Sequence, residues 1–580
     1  MKRSAQRLKV LGFFLPLGAT IILGVWGFHL HSEKLGVLDL LYCSLQLFNL
    51  NSGAIDGPVP MPLEIARWLA AVTLVGGAIG VARSFFGSKL DHWIARGLHG
   101  HHIICGLGWR GYTLAMDLLA GGERVVVLDP SPDGGSLESF KKRGGIHFPI
   151  DESHPAELNS AGIEGAATFT ALTPNDSLNL ATVLTMELKE STVRRRSSLK
   201  IFAHIGSVAY RDSLDRSSLL GAMPHGLASV RSFNVHANLA RLLFENFPLE
   251  TAGHEDGAVN IDRQIHLILG DLGEEASALA VHSARIGHYL GCRKVHLHVI
   301  ASGAINAVNA LKVAYPNFDL CCASIQCSNT ETAPEFGHFV AAIIRSRPND
   351  CFTVFPSFAV SASNLETTLR VHEAVPACHS FRMPIPRGMQ ELLAPVIAQN
   401  PLLASRIIPF PSLAQYCGKE AVFGEKLDEV AKAIHHNWYS QTSGLIASAK
   451  AQRNFDKVRE LEAKPTYKPW NTSTEEQKDA NRSQADHFHI KFRAAGLNPS
   501  TITKSIWLDW CKANEEALEH LARVEHERWA AHLWLAGWVK GPRKDDKKTH
   551  DNLVPYDELD NDTKDYDRAT LQGLSHYLPA

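Results

Sequence analysis

No excess of either charge runs through this 580-residue chain: 58 Lys and Arg stand against 60 Asp and Glu. That balance excludes the broad basic field by which a protein holds nucleic acid. The ten cysteines show no paired-ligand spacing. Cys321 and Cys322 are adjacent, which suits neither a disulfide framework nor a zinc site. Long low-complexity tracts are missing. So are catalytic signatures: there is no His-Glu-x-x-His, no Gly-x-Ser-x-Gly, no Walker loop and no nucleophile–base pair at a telling spacing. The 29 histidines are scattered, and His99, His101 and His102 read as strand or linker residues rather than metal ligands. The expectation is a protein that is not an enzyme and holds no metal.

Charge is also missing locally. Residues 10–30 contain no Asp, Glu, Lys or Arg. At 1.5 Å per residue they cover roughly 30 Å, the hydrocarbon thickness of a bilayer. The run is too long for a signal peptide and lacks a small-residue cleavage site after it. Residues 68–82 are charge-free over about four turns. They reach spanning length if the helix starts near Pro62 and takes in Glu64 and Arg67, which lie three apart on one face and neutralise each other. Gly76, Gly77 and Gly80 suit close helix approach in a bilayer; a packed cytoplasmic helix is the other reading. Lys2, Arg3, Arg7 and Lys9 precede the first run, Arg83, Lys89 and Arg96 follow the second, and the loop between holds little beyond Lys34. Such flanks predict a two-pass protein of the cell membrane with both termini cytoplasmic. Between the runs, residues 35–48 are apolar and helix-compatible but too short to cross, and Asn49-Leu50-Asn51-Ser52-Gly53 follows. The placement resembles the re-entrant pore helix of two-span potassium channels, without a Thr-Val-Gly-Tyr-Gly run. A cation pore and a non-conducting anchor both stay open.

The fold class expected is a two-helix membrane unit (1–98), two α/β Rossmann-type domains (99–250 and a degenerate 251–447), and a mainly α C-terminal domain (448–580). The polar stretch 250–262 reads as the linker between the α/β domains. In the first of these, Ile103-Ile104-Cys105 is a short buried strand, and Gly106-Leu107-Gly108-Trp109-Arg110-Gly111 leads into a helix. A second strand, 124–129, ends in Asp129. This is the dinucleotide fingerprint in context: Gly106 makes the turn, Gly108 admits a pyrophosphate to the backbone, and Gly111 lets helix and strand pack closely. The helix N-terminus offers free N–H groups to phosphate. Asp129 is placed to accept from ribose hydroxyls, favouring a 2′-OH over a 2′-phosphate. A Rossmann shell that binds nothing is the alternative.

Further strands are expected over 145–151, 168–173 and 200–204, with Pro174 to Asn179 opening a helix. A strand ending in Thr, followed by Asp and Asn at the next helix start, resembles the TrkA-N, or RCK (regulator of potassium conductance), family over about residues 100–245. The resemblance implies NAD(H) or an adenine nucleotide as effector. It also puts Asp151 on the adenosine side, with Thr173, Asp176 and Asn179 facing the same cleft. Asp176 and Asn179 serve equally as helix caps. In the second α/β domain the spacing of Gly270 and Gly273 is damaged, Glu274 and Glu275 would repel phosphate, and the strand 294–300 ends in Ala301-Ser302 without an acid. It reads as a Rossmann shape without the site, and RCK channels with two such units imply a structural or dimerising role.

The C-terminal stretch carries Trp529, Trp534 and Trp538 on a helix, a charged turn 540–550, then Tyr556 and Lys564-Asp-Tyr-Asp-Arg568, with Lys468-Pro-Trp470 and 481–487 upstream. It closely resembles the RyR domain, the repeat of ryanodine receptors and some bacterial membrane proteins, over roughly 455–580. Arg528, Arg543, Lys544 and Arg568 suit an anionic ligand, and Trp529, Trp538 or Tyr566 can stack on a base. Alternatively Trp, Arg and Asp form a salt-bridged core. The whole reads as a ligand-gated, potassium-type cation channel, a self-associating protein (a tetramer if it forms a pore). NAD(H) or an adenine nucleotide would control it, with the RyR domain as a second sensor. A non-conducting membrane-anchored nucleotide receptor serving a separate transporter or defence effector is the alternative. A membrane-anchored NAD-dependent oxidoreductase lacks an identifiable proton-transfer residue.

Overall fold

The computed structural model describes residues 2–32, 35–49, 57–150, 161–190, 199–216, 228–252, 262–356, 361–375, 381–384, 394–395 and 397–579. Within these, the side chains of 2–14, 78–93, 186–190, 216, 228–229 and 361–365 are not described. The chain divides into two compact units, Met1–Gly97 and Leu98–Ala580.

The first unit is built from α1 (Lys2–His31), α2 (Val37–Gln46) and α3 (Met61–Arg96). Both apolar runs are helical, α3 begins beside Pro62 as expected, and the intervening segment forms a short helix. Glu64 and Arg67 pair at 3.0 Å across one turn. Close approach does not come from Gly76, beside which an added Cβ would meet nothing within 4 Å. It comes from α1 instead. A Cβ on Gly24 would lie 2.8 Å from Ser44 Oγ, and one on Gly27 would lie 2.5 Å from the Leu63 backbone nitrogen. Phe28, Leu40, Leu47, Leu63, Ala66 and Ala70 form the core. Ile22, Trp26, Val37, Leu38, Trp68 and Val72 face outward. Hydroxyls that cannot find water turn onto their own helix: Thr20, Ser44 and Thr73 donate to the carbonyls of Pro16, Leu40 and Leu69. Over its described residues no helix is long and apolar enough to cross a membrane. Residues 10–14 of the first run and 78–82 of the second lie outside the described side chains, as do residues 50–53 of the expected filter position. The structure gives the helices and not the crossing.

The second unit opens with a six-stranded parallel sheet: β1 (His102–Cys105), β2 (Val125–Leu128), β3 (Ile146–Phe148), β4 (Thr168–Ala171), β5 (Leu199–His204) and β6 (Ala228–Phe233). Their order is β3-β2-β1-β4-β5-β6, the full doubly wound arrangement, with its topological switch between β1 and β4. Five strands fall where the sequence pattern puts them. β6 was not expected, because Ser229, Arg231 and Ser232 interrupt its apolar run. The helices α4 (Trp109–Ala120) and α5 (Gly134–Lys142) follow β1 and β2.

A second parallel sheet has the order β10-β9-β7-β11, from β7 (Ile265–Leu269), β9 (Arg293–Ile300), β10 (Ser324–Ser328) and β11 (Cys351–Phe355). The two-residue β8 (His288–Tyr289) pairs antiparallel with β9. The two domains meet through their helices, in the core cluster that also covers one face of the second sheet. Val235, Leu239 and Leu243 on the helix Val235–Asn246 pack with Leu279 and Ala280 on the helix Glu274–Ile286. Ile490, Ala531 and Leu535 of the C-terminal helices complete the same cluster. The start of the expected linker is correspondingly buried, and Arg493 donates to Glu250 at 2.7 Å; residues 253–261 lie outside the described ones.

The C-terminal region is helical, including Glu429–Ala451, Glu475–Asp486, Glu515–Leu535 and Asn561–Gly573. Fully buried Trp507 donates from its indole N–H to Leu571 O at 2.9 Å. The helix Glu475–Asp486 meets the Rossmann domains through buried ion pairs. Arg211 reaches Asp479 at 3.1 Å, Arg241 reaches Asp486 at 2.8 Å, and Arg482 holds Asp428, Glu475 and Asp479.

Candidate functional site

The site lies at the carboxyl ends of β1 and β4, where neighbouring strands lead in opposite directions and leave a crevice. Gly106 follows β1 with φ +96°, a conformation that suits glycine, and its backbone lies against Leu172 and Thr173. Gly108 caps α4 with no atom within 4 Å of where a Cβ would stand. Gly111 is the opposite case: an added Cβ would lie 1.9 Å from Gly106 O. Gly106 and Gly111 thus lie in the tight turn and the close packing read from their spacing, and Gly108 leaves open space beside its backbone.

The crevice is an open cleft of 670 Å³, lined by the glycine loop, Trp109, Tyr112, Thr113, the stretch from Asp129 to Asp133, Ser136, Thr173, Pro174, Asn175, Leu178 and Leu413. That volume suits a nucleotide. Neither Lys nor Arg is among its described lining residues. Charge for an anion comes from the exposed N–H groups at the start of α4, so the cleft suits a group of modest charge at that helix end.

Asp129 stands at the end of β2 and holds the loop as well as facing the cleft. Its Oδ2 accepts from Leu107 N at 2.6 Å and its Oδ1 from Ser131 N at 2.8 Å. A carboxylate has roughly four acceptor positions, so capacity for ribose hydroxyls remains. Thr173 lines the cleft as expected. Asp176 and Asn179 do not. Asp176 accepts from Gly206 N at 2.7 Å and Ser207 N at 3.0 Å, holding the turn between β5 and the helix Val208–Arg216. Buried Asn179 accepts from Thr173 N at 2.9 Å and donates to His204 O at 3.0 Å, which pins the end of β4 to β5. Both are consumed by orphan backbone groups at strand ends, which local sequence does not reveal. Asp151 lies outside the described residues.

Arg110 also turns away from the cleft. Its Nη2 donates to Glu274 Oε2 at 2.6 Å and lies 2.8 Å from His236 Nε2. The hydrogen bond from His236, with Arg110 beside it, holds the Glu274 carboxyl below its ordinary range. Burial, with Arg110 and His236 adding to it, keeps His204 neutral well below the usual imidazole range. Glu274, expected to repel phosphate in its own domain, binds the fingerprint helix of the other. The second domain keeps a cleft of 700 Å³ lined by Gly270, Ala301, Ser302, Thr330, Glu331 and Glu366 among others, again without Lys or Arg in its described lining.

Of the C-terminal candidates, Arg528 and Arg568 are taken by carboxylates. Buried Arg528 binds Glu525 through two nitrogens, at 2.8 and 3.0 Å, and donates to Ser483. Arg568 forks onto Glu519 at 2.7 and 3.0 Å and reaches Asp565. Trp529 packs against His526 and His550. At Arg528 the salt-bridged core prevails, because a buried guanidinium without a carboxylate is costly. Arg543, Lys544 and Tyr566 are exposed.

Tyr112, Thr113, Ser131, Asn175 and Leu178 are cleft residues that the sequence reading did not include; those after Asp129 had a signal in the turn-rich Pro130-Ser-Pro-Asp-Gly-Gly135. Leu413 had none, since it follows the glycine loop by some three hundred positions.

The chain contains a TrkA-N domain, matched over residues 102–222, and an RyR domain, matched over 499–579. No curated protein matches it. Among solved structures it is similar to a mutant of GsuK at 14% identity, covering 71% of this chain and 96% of that one, with a TM-score of 0.35. GsuK bound to ADP matches at 13% identity over 69% of this chain and 99% of that one, TM-score 0.28. The GsuK channel bound to NAD matches at 12% over 69% and 85%, TM-score 0.29.

Proposed function

We propose that this chain is a nucleotide-controlled membrane conductance, a potassium-type cation channel assembled as a homotetramer, whose TrkA-N domain binds NAD(H) or an adenosine diphosphate. The observation that carries this reading is the 670 Å³ cleft at the glycine loop, with Asp129 at its ribose side. A lining without cations supports a dinucleotide or diphosphate over a triphosphate. Among its described lining residues there is no His, Cys or Lys, which favours an effector over a redox substrate.

The unit Met1–Gly97 is the membrane part of this proposal. Its outward-facing Ile22, Trp26, Leu38, Trp68 and Val72, and its hydroxyls bonded back to their own helices, suit an apolar solvent. α1 and α3 would be the two spans, with α2 between them and both termini in the cytoplasm of a two-pass cell-membrane protein. The RyR domain is assigned to a second sensing role through its exposed turn at Arg543 and Lys544. For nucleotide to gate, it must bind one conducting state better than the other.

The test is ion flux through the purified protein in liposomes with NAD, NADH and ATP, for the wild type and Asp129→Ala. Flux that responds to nucleotide and loses the response in the variant supports a gated channel. Nucleotide binding without flux under any condition moves the function to a non-conducting receptor for a separate transporter or defence effector. Steady turnover of NAD overturns the effector reading.

A further inference from the structure

The cleft is not completed by the Rossmann fold alone. Leu413 opens the short helix Leu413–Cys417 and stands on the cleft with its side chain exposed. The chain that follows is fastened along α4, the helix whose N-terminus faces the ligand position. Cys417 Sγ contacts Arg110 O at 3.5 Å, across 307 residues of sequence. Lys419 donates its backbone N–H to Asp117 Oδ2 at 2.7 Å, and its ammonium reaches Glu123 at 3.0 Å. No slack exists here: a Cβ on Gly418 would lie 2.6 Å from Asp117 Oδ2.

One turn of π-helix, Glu420–Gly424, then inserts Val422 and Phe423 into the first domain's core. Phe423 stacks on His102 at 5.5 Å and meets Phe202 at 4.8 Å. The segment ends at Glu425, buried and with φ +50°. Its carboxylate binds Arg231 of β6, Lys432 at 2.9 Å and the Trp470 indole at 3.1 Å. Arg231 lies 3.5 Å from Glu475 at the start of the helix Glu475–Asp486. An unbroken series of packed groups therefore runs from the cleft to the helices that precede the RyR domain.

We propose that residues 412–425 form a wall of the nucleotide site, with Leu413 as a ligand-contacting residue, and carry its occupancy to the helix Glu475–Asp486. The inference rests on the nucleotide reading of the cleft. A ligand seated on the start of α4 buries Leu413 and reorders the first turn to which Cys417 is fastened. A displacement of this segment is passed towards Glu425 through Val422 and Phe423, which are packed in the first domain's core.

Two measurements on the full-length protein decide this. Calorimetric titration with NADH and with ADP is expected to give roughly 10-fold weaker binding for Leu413→Ala at unchanged Tm. Hydrogen exchange across the helix Glu475–Asp486 is expected to change when NADH or ADP is added to the wild type, and to change no longer in Glu425→Gln although nucleotide still binds. Should Glu425→Gln not fold, Lys419→Ala, which removes a half-exposed tether, is expected to reduce the response at least twofold. Unaltered affinity in Leu413→Ala, or binding to the wild type without change at this helix, overturns the inference alone. No binding of either nucleotide to the wild type overturns the nucleotide reading and this inference with it.

Discussion

Gly108 and Gly111, three residues apart, separate binding from folding. An alanine at Gly108 meets no atom within 4 Å and its φ of −62° is ordinary, so the fold should tolerate it. The methyl would stand where a pyrophosphate must approach, and NADH affinity should fall at least ~10-fold at unchanged Tm. Gly111→Ala places its Cβ 1.9 Å from Gly106 O. It should cost about 1–3 kcal/mol of stability and abolish binding together. Thermal denaturation and calorimetric titration of the two variants check both outcomes, and equal Tm losses would contradict this division of labour. Ligand charge is a second consequence of the lining. With no described Lys or Arg in the cleft, ADP and NADH should bind at least ~10-fold more tightly than ATP without magnesium, since added charge goes unpaired. The roles of these glycines were legible because they depend on neighbours within one strand–turn–helix. The partner of Arg110 was not legible, because Glu274 lies 164 residues away.

Among the elements, the helix Glu475–Asp486 carries the clearest pH dependence. Burial works against the Glu475 carboxylate, but Arg482, Lys478 and Arg231 outweigh it and bring its pKa to about 2. Asp428 and Asp479 are depressed further, burial again being overcome, by Arg482 and Arg241 in one case and by Arg211 and Arg482 in the other. A depressed folded-state pKa contributes stability above the ordinary carboxylate range, and that contribution is lost as pH falls through the folded value. These three carboxylates should therefore stabilise the helix at pH 5 to 7 and release it as pH falls from about 4 towards 2, seen as faster hydrogen exchange and a lower Tm, while burial shifts Asp486 the other way. Glu475→Gln leaves Arg482 and Lys478 short of one carboxylate and should cost about 3 kcal/mol at pH 7. In α1, Gly27→Leu would drive a side chain into the Leu63 backbone and should separate α1 from α3, which a cysteine crosslink between those helices would report. The sequence singled out Gly76, Gly77 and Gly80 of α3 for helix approach in a bilayer, and did not single out Gly24 or Gly27. Helical periodicity groups residues by face, but which face meets a neighbour depends on a partner elsewhere in the chain.

For the whole molecule, the membrane proposal predicts that the protein stays with the membrane fraction after an alkaline wash and needs detergent to dissolve; release by the wash would remove the channel and anchor readings together. The glycine loop and five of the six strands of the first Rossmann domain could be read from residue spacing. Each depends on alternation, turn residues and caps within some thirty positions, and such patterns survive in the linear chain. The placement of Asp176 and Asn179 on strand-end backbone, the spending of Arg528 and Arg568 on carboxylates, and the arrival of Leu413 at the cleft belong to the fold. A buried charge or orphan N–H takes whichever partner the packed chain brings near it, and that choice is made across hundreds of residues.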